Sequence, residues 1–348
     1  MAERSDRNAR YQGASRATLS GISDLFHRRE RIGRLEASDR IDGKCCLVTG
    51  ANRGLGRAVA VELARRGGRV VMACRSGHPH AAEEVRAKSG SDRVEMAYVD
   101  LSDFESVEQF AAQLKRRRRR FDIVVLNAGI VPSRARRTAQ GFEEMFVVNY
   151  LANFLLLKRL LDGGMILAAS SGRAEDCPDG DSEAPIPRIV FVSSEVHRSA
   201  PSIDFDTLGV FREYGMRGAM TQYAVNKLLT STFAVELSRR LRIAGRPQAS
   251  VHHLCPGPIN SDIAREAPVW IKPLLRVIFL LLFRSPRRAA EPVVFLCCSR
   301  TIEGRTGIYL HLMTEKPPSD TALDEQAGRR LWLASERLIR SAPSTPLR

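Results

Sequence analysis

Leu47-Val48-Thr49-Gly50-Ala51-Asn52-Arg53-Gly54-Leu55-Gly56 is the stretch on which the fold turns. Before it, Cys45 to Val48 make an apolar run that reads as a buried strand. After it, Ala58, Val59, Val61, Leu63 and Ala64 mark the apolar face of a helix. Strand, glycine turn and helix together form a phosphate site. Glycines let the backbone approach a pyrophosphate, and the helix start offers unpaired N–H groups and a positive dipole end. The spacing is G-x-x-x-G-x-G, not the commoner G-x-G-x-x-G. Gly50, Asn52, Arg53, Gly54, Leu55 and Gly56 are the candidate contacts. A plain strand–turn–helix with glycine punctuation has the same local signature, so the turn takes its meaning from the pattern around it.

That pattern is regular. Strands are expected at 44–49, 69–74, 94–99, 122–127, 188–193, 249–255 and 307–311. Helices are expected at 54–67, 80–90, 103–119, 140–162, 221–244 and 286–299. Alternation of this kind predicts an α/β fold with a doubly wound parallel sheet, its ligands at the carboxyl ends of the strands. The expected domain covers 42–312. Residues 1–41 read as an Arg-rich, partly disordered extension and 313–348 as a C-terminal tail. Two stretches interrupt the alternation. Residues 163–187, rich in Gly, Ser, Asp and Pro, read as a surface insertion. Residues 269–283, Val-Trp-Ile-Lys-Pro-Leu-Leu-Arg-Val-Ile-Phe-Leu-Leu-Leu-Phe, are too short to span a bilayer. They lie at a membrane interface, form a lid over an apolar pocket, or make a buried helix.

Composition excludes several functions. Of 348 residues 44% are hydrophobic, enough for a sizeable core. Aromatics are only 6%, which argues against base-stacking platforms, and no nucleic-acid partner is expected despite a formal charge of +15. Lys115 to Arg120 is the one dense basic run, and it closes a helix where cations favour the dipole. The seven cysteines are odd in number, without a C-x-x-C, and read as reduced thiols of an intracellular protein. His78 and His80, or His252 and His253, lack a third ligand at metal spacing, so no metal is expected. No secretory signal is read. The Arg- and Ser-rich start resembles a mitochondrial presequence, but Glu3, Asp6, Asp24 and Glu30 count against one. Cytoplasmic, peripheral-membrane and mitochondrial placements all remain open.

The strand ends carry the chemistry. The second ends at Arg75, where NAD-preferring folds place an acid on the ribose 2′-hydroxyl. Arg75 and Arg53 together would pair with a 2′-phosphate, which favours NADP(H) over NAD(H). The third ends Val99-Asp100-Leu101, where Asp100 either accepts from adenine or caps the next helix. The fourth ends Asn127-Ala128-Gly129, whose small residues let the chain pass close to a cofactor, while Asn127 pins neighbouring strands. The fifth delivers Ser193-Ser194, a hydroxyl able to polarise a substrate oxygen. Asn149 could hold a water that relays protons. Tyr223 and Lys227 stand four apart on one helix face, where a cation lowers the phenol's pKa and makes it a usable acid or base. After the sixth strand, Pro256-Gly257 fixes a rigid turn, and Ile259 and Ser261 follow within reach of a nicotinamide or diphosphate.

Thr49-Gly50, Gly54, Gly56, Asn127-Ala128-Gly129, Asn149, Ser194, Tyr223, Lys227 and Pro256-Gly257, in this order and spacing, resemble the short-chain dehydrogenase/reductase family. The resemblance covers 42–312 and implies a Rossmann fold and a catalytic tetrad of Asn149, Ser194, Tyr223 and Lys227, with Tyr223 and Lys227 also touching the cofactor. It implies Ser194 rather than Ser193. The wide Ser194-to-Tyr223 gap, Val71 to Arg75, the apolar 269–283 and Ser285-Pro286-Arg287-Arg288-Ala289-Ala290-Glu291-Pro292 are similar to the retinol dehydrogenase-like branch. Ser261 stands where the family usually has Thr. The implied activity is reversible carbonyl reduction on a small apolar substrate such as a retinoid or steroid. Peripheral membrane contact through 269–283 and a homodimer are the expected partners. The competing reading is a non-catalytic protein that senses NADP(H) or lipid.

Overall fold

The computed structural model describes residues 30–166, 186–258 and 285–342. The strand β1, Cys45–Thr49, is buried along its whole length. So are β4, Ile123–Leu126, and β5, Arg188–Val192. Such runs, apolar on both faces, belong to the middle of a parallel sheet. The remaining large strands are β2, Arg69–Cys74, β3, Val94–Tyr98, β8, Ser250–Cys255, and β9, Tyr309–His311. Two short pieces were not expected: the hairpin β6, Arg242–Ile243, with β7, Arg246–Pro247, and an edge strand β10, Thr314–Glu315. The eight-stranded sheet runs β10-β9-β8-β5-β4-β1-β2-β3, with only β10 antiparallel. Chain order reverses between β1 and β4, so a crevice opens above their carboxyl ends.

Helices cover both faces, as expected. On one side lie α1, Gly54–Arg65, α2, His80–Ser89, and α7, Pro286–Cys298, closing over Val48, Val59, Leu63, Val85, Val293 and Phe295. On the other lie α3, Phe104–Arg116, α5, Ala152–Asp162, and α6, Met216–Arg240. The helix expected over 140–162 starts later and in three parts. Glu143 caps it by accepting from the N–H of Met145 and of Phe146 at 2.9 and 2.8 Å, so α4 is only Glu144–Phe146. A π turn, Val147–Leu151, then leads into α5. Helix α6 is shifted earlier than expected, because the chain turns into the β6–β7 hairpin at Ala244 and Gly245, both at positive φ.

The expected tail contains two further helices, α8, Asp320–Leu323, and α9, Glu325–Ser341. Asp324 caps α9 through the N–H groups of Gln326 and Ala327. Its apolar face lies on α5 and α6. Trp332 packs edge-on against Phe154 at 5.1 Å and tilted on Phe233 at 5.9 Å, and Tyr150 shares a 2.6 Å hydrogen bond with Ser335. Residues 325–341 therefore complete the second core layer. Among the described residues no helix is long and apolar enough to cross a membrane. The N-terminal extension up to residue 29, most of the 163–187 insertion and the whole of 269–283 lie outside the described residues.

Candidate active site

The glycine turn sits where the two halves of the sheet part. Gly50 has φ +65°, and a Cβ there would stand 3.0 Å from the backbone of Ala128. A Cβ on Gly56 would stand 2.4 Å from Asn127 Nδ2 and from the Gly50 carbonyl oxygen. These two glycines are therefore required by the close approach of β1, α1 and the end of β4. Gly54 differs: at φ +54° its missing side chain faces open space, with nothing within 4 Å. The Arg53 N-cap makes no side-chain cap hydrogen bond, and the first turn of α1 holds no acid. An uncapped helix start beside an open glycine fits the diphosphate of a dinucleotide.

The neighbouring strand ends close around this turn. Asn127 donates from Nδ2 to the Thr49 carbonyl at 2.9 Å, and the N–H groups of Asn127 and Ala128 both donate to Thr49 Oγ1. Asn127 thus ties β4 to β1, the pinning role expected of it. Asn52 donates to Ser76 Oγ at 3.1 Å, which brings the turn beside Arg75. The Arg75 side chain is 58% exposed and reaches Asp100 Oδ2 at 3.4 Å. Asp100 does not cap the following helix. It accepts from the N–H and hydroxyl of Ser102, while Asp103 caps α3 through the N–H of Glu105. Leu101 is buried.

On the far side of the crevice the remaining candidates meet. Ser193 is buried and turned into α6, bonded to Ser231 Oγ at 2.8 Å. Ser194 is less buried, and its hydroxyl neighbours the Tyr223 phenol closely enough to act on its acidity. Lys227 Nζ donates to the Val192 carbonyl at 2.8 Å and lies 5.5 Å from the Tyr223 ring centroid. Gly129 faces this group: a Cβ there would stand 3.4 Å from Asn149 Oδ1 and 3.9 Å from Lys227 Nζ. Asn149 sits in the π turn with both side-chain polar atoms on Ile130, accepting from its N–H at 2.8 Å and donating to its carbonyl at 2.9 Å. Pro256 and Gly257 follow β8, with Gly257 at φ +81°. Ile259 and Ser261 lie outside the described residues.

The electrostatics differ from the expectation in one respect. Burial pushes the Tyr223 phenol well above its ordinary range, the neighbouring Cys255 thiol adds to this, and the Ser194 hydroxyl opposes it. Burial pulls Lys227 down to about 8, with Cys255 opposing. The ammonium is held at the Val192 carbonyl and beside the aromatic ring. Burial is the larger influence, and Tyr223 rests as a protonated donor.

Two residues next to Ser194 carried no sequence signal, Glu195 and His197, both buried. Glu195, Cys255 and His311 bring their ligand atoms within 4.8 Å of one another. This cluster holds a cation of its own, since Lys316 Nζ is 2.9 Å from Glu195 Oε1 and 3.3 Å from His311 Nδ1.

Known proteins resemble this chain in sequence and fold. A family model described as short chain dehydrogenase matches residues 44–175. The chain is 34% identical over 329 residues to human retinol dehydrogenase 13, covering 92% of each. It is 32% identical over 298 residues to mouse polyprenol dehydrogenase, covering 85% of this chain and 84% of that protein. Among solved structures, an uncharacterized protein from Mycobacterium paratuberculosis superposes with a TM-score of 0.64 at 25% identity, over 90% of this chain and all of the other.

Proposed function

The chain belongs to the short-chain dehydrogenase/reductase family, in its retinol dehydrogenase-like branch, and from that premise we propose that it interconverts a carbonyl and an alcohol on an apolar, lipid-like substrate with NADP(H). The observation that carries this reading is the meeting of Ser194 and Tyr223 at the strand ends, with Lys227 beneath them and the uncapped glycine turn across the crevice. A bound nicotinamide supplies or accepts the hydride. The protein's part is the proton and the geometry. In the reductive direction Tyr223, protonated at rest, gives its phenolic proton to the carbonyl oxygen. Ser194 donates a hydrogen bond to that oxygen and polarises it. Lys227 holds its ammonium against the crevice floor, where it favours negative charge at the phenol oxygen once the proton has gone. Asn149 fixes Ile130 and so the wall after β4.

The cofactor residues in this reading are Gly50, Asn52, Arg53, Gly54, Leu55, Gly56, Arg75, Asp100, Leu101, Asn127, Ala128, Gly129, Tyr223, Lys227, Pro256, Gly257, Ile259 and Ser261. NADP(H) is favoured because the exposed Arg75 guanidinium ends β2 where an acid would suit NAD(H). The apolar substrate is favoured by the relatives' names, retinol and polyprenol dehydrogenases, and by the composition of 269–283. That segment is also the proposed point of contact with a membrane surface. The test is Tyr223→Phe assayed with NADPH and a panel of apolar aldehydes and ketones that includes all-trans-retinal. Turnover is expected to vanish while NADPH still binds; a variant as active as its parent would rule the mechanism out.

A further inference from the structure

The turn that carries Ser194 is held by more than its own strand. Residues Glu195–Ser199 form a 3₁₀ turn, and three of its side chains reach the segment that follows β10. Glu195 pairs with Lys316 at 2.9 Å and accepts from the Tyr309 hydroxyl at 3.0 Å. Arg198 bonds both Glu195 and the Pro317 carbonyl. Between them His197, 1% exposed, has Nδ1 at 2.7 Å from the Ser194 carbonyl oxygen and Nε2 at 3.1 Å from the backbone nitrogen of Ser319. These partners fix the state of the ring. A carbonyl only accepts, so Nδ1 carries the proton; a backbone N–H only donates, so Nε2 has none. The neutral form is also what burial favours, aided by Arg198, bringing His197 down to about 4.

We propose that His197 is a positioning residue for Ser194, a neutral strut that sets the serine against Tyr223 by joining its peptide to the chain at 316–319. The inference rests on the reading of Ser194 as the group that polarises the carbonyl. Ser194 Oγ has only a long contact inside its own turn, 3.4 Å from the Val196 N–H, so local bonds do not fix it. The peptide that follows Ser194 is held at its carbonyl by the His197 backbone N–H at 3.1 Å and, more closely, by the imidazole at 2.7 Å. Losing the Nδ1 donor leaves the Ser194 carbonyl with the His197 backbone N–H alone, at 3.1 Å, and a small rotation there takes Oγ away from the phenol. Misplacement on the scale of 1 Å is enough to cost rate.

The test is a double-mutant cycle between His197→Ala and Ser194→Ala, on the full chain with NADPH and the best apolar carbonyl of the panel. His197→Ala is expected to lower kcat by about tenfold or more, with NADPH affinity by fluorescence and carbonyl KM within about twofold of the parent. In the Ser194→Ala background it should cost nothing more. Because a buried alanine can disturb folding, Ser319→Pro repeats the cycle from the other end. The φ of Ser319, −64°, already suits proline, and the change removes the N–H that Nε2 accepts. Additive losses in either cycle, or a kcat unchanged by both single changes, overturn the strut while leaving the catalytic reading intact. A Ser194→Ala protein as active as the parent overturns both.

Discussion

Arg75 is a single side chain on which the proposed cofactor preference can be tested. It ends β2 with its guanidinium mostly in solvent and a single long contact to Asp100 at 3.4 Å. A charge-assisted pair with a 2′-phosphate is worth on the order of 2 kcal/mol. Arg75→Ala is therefore expected to raise the KM for NADPH roughly tenfold or more and to leave NADH nearly unchanged. Steady-state kinetics with both cofactors checks this, and an equal effect on the two would remove Arg75 from the cofactor site. At this scale the residues that meet at the crevice are legible where local spacing fixes them, as for Gly50, Gly54 and Gly56, or Tyr223 and Lys227. Glu195 and His197 were not. The partner of His197 Nε2 lies 122 residues further on, and no short-range pattern announces it. Asp100 was readable only as two alternatives, since choosing needed the position of Arg75 and the cap made by Asp103.

The elements were legible to the extent that they repeat. Seven strands lie within one or two residues of where alternating apolar runs place them. The π turn was not legible, because Val147 to Leu151 are buried all round and give no period to read. Helix α9 follows the last large strand, outside the strand–helix alternation, and its face of Ala327, Leu331 and Ala334 is diluted by Arg329, Arg330, Arg337 and Arg340. Its contribution is nevertheless structural. Trp332 closes an aromatic group with Phe154 and Phe233, and Arg240 lies over its ring at 4.2 Å. Trp332→Ala is expected to cost about 2 kcal/mol, less than a fully buried Trp because this one is partly exposed. Urea unfolding measures it. A midpoint equal to the parent's would show α9 to be an appendage.

For the whole molecule the acid limb of stability is expected to depend on Glu195. Burial works against its charge, but Lys316, Arg198 and His311 outweigh that and hold the carboxyl down at about 2. The folded pKa lies below the ordinary value of 4.5, so the unfolded chain takes up this proton first. The contribution is fully present above pH 4.5, falls away as pH drops toward 2, and is on the order of 3 kcal/mol. Glu195→Gln should be less stable at neutral pH, where Lys316 and Arg198 lose their counter-ion. It should also lose less than the parent between pH 4.5 and 2. Melting temperatures across that range decide it, and parallel curves would count against a structural role for the pair. Many surface arginines, such as Arg57 with Glu84 and Arg159 with Glu108, sit in ion pairs that add little individually.

The pairing of Glu195, His197 and Arg198 with 316–319 also sets an order of assembly. A ribosome makes the glycine turn before Ser194, then Tyr223 and Lys227, and after them the residues at 316–319 that pair with the 3₁₀ turn. A nascent chain thus carries the whole glycine turn before the turn after β5 has its partners. The 3₁₀ turn waits for the segment after β10 before its side chains find their partners.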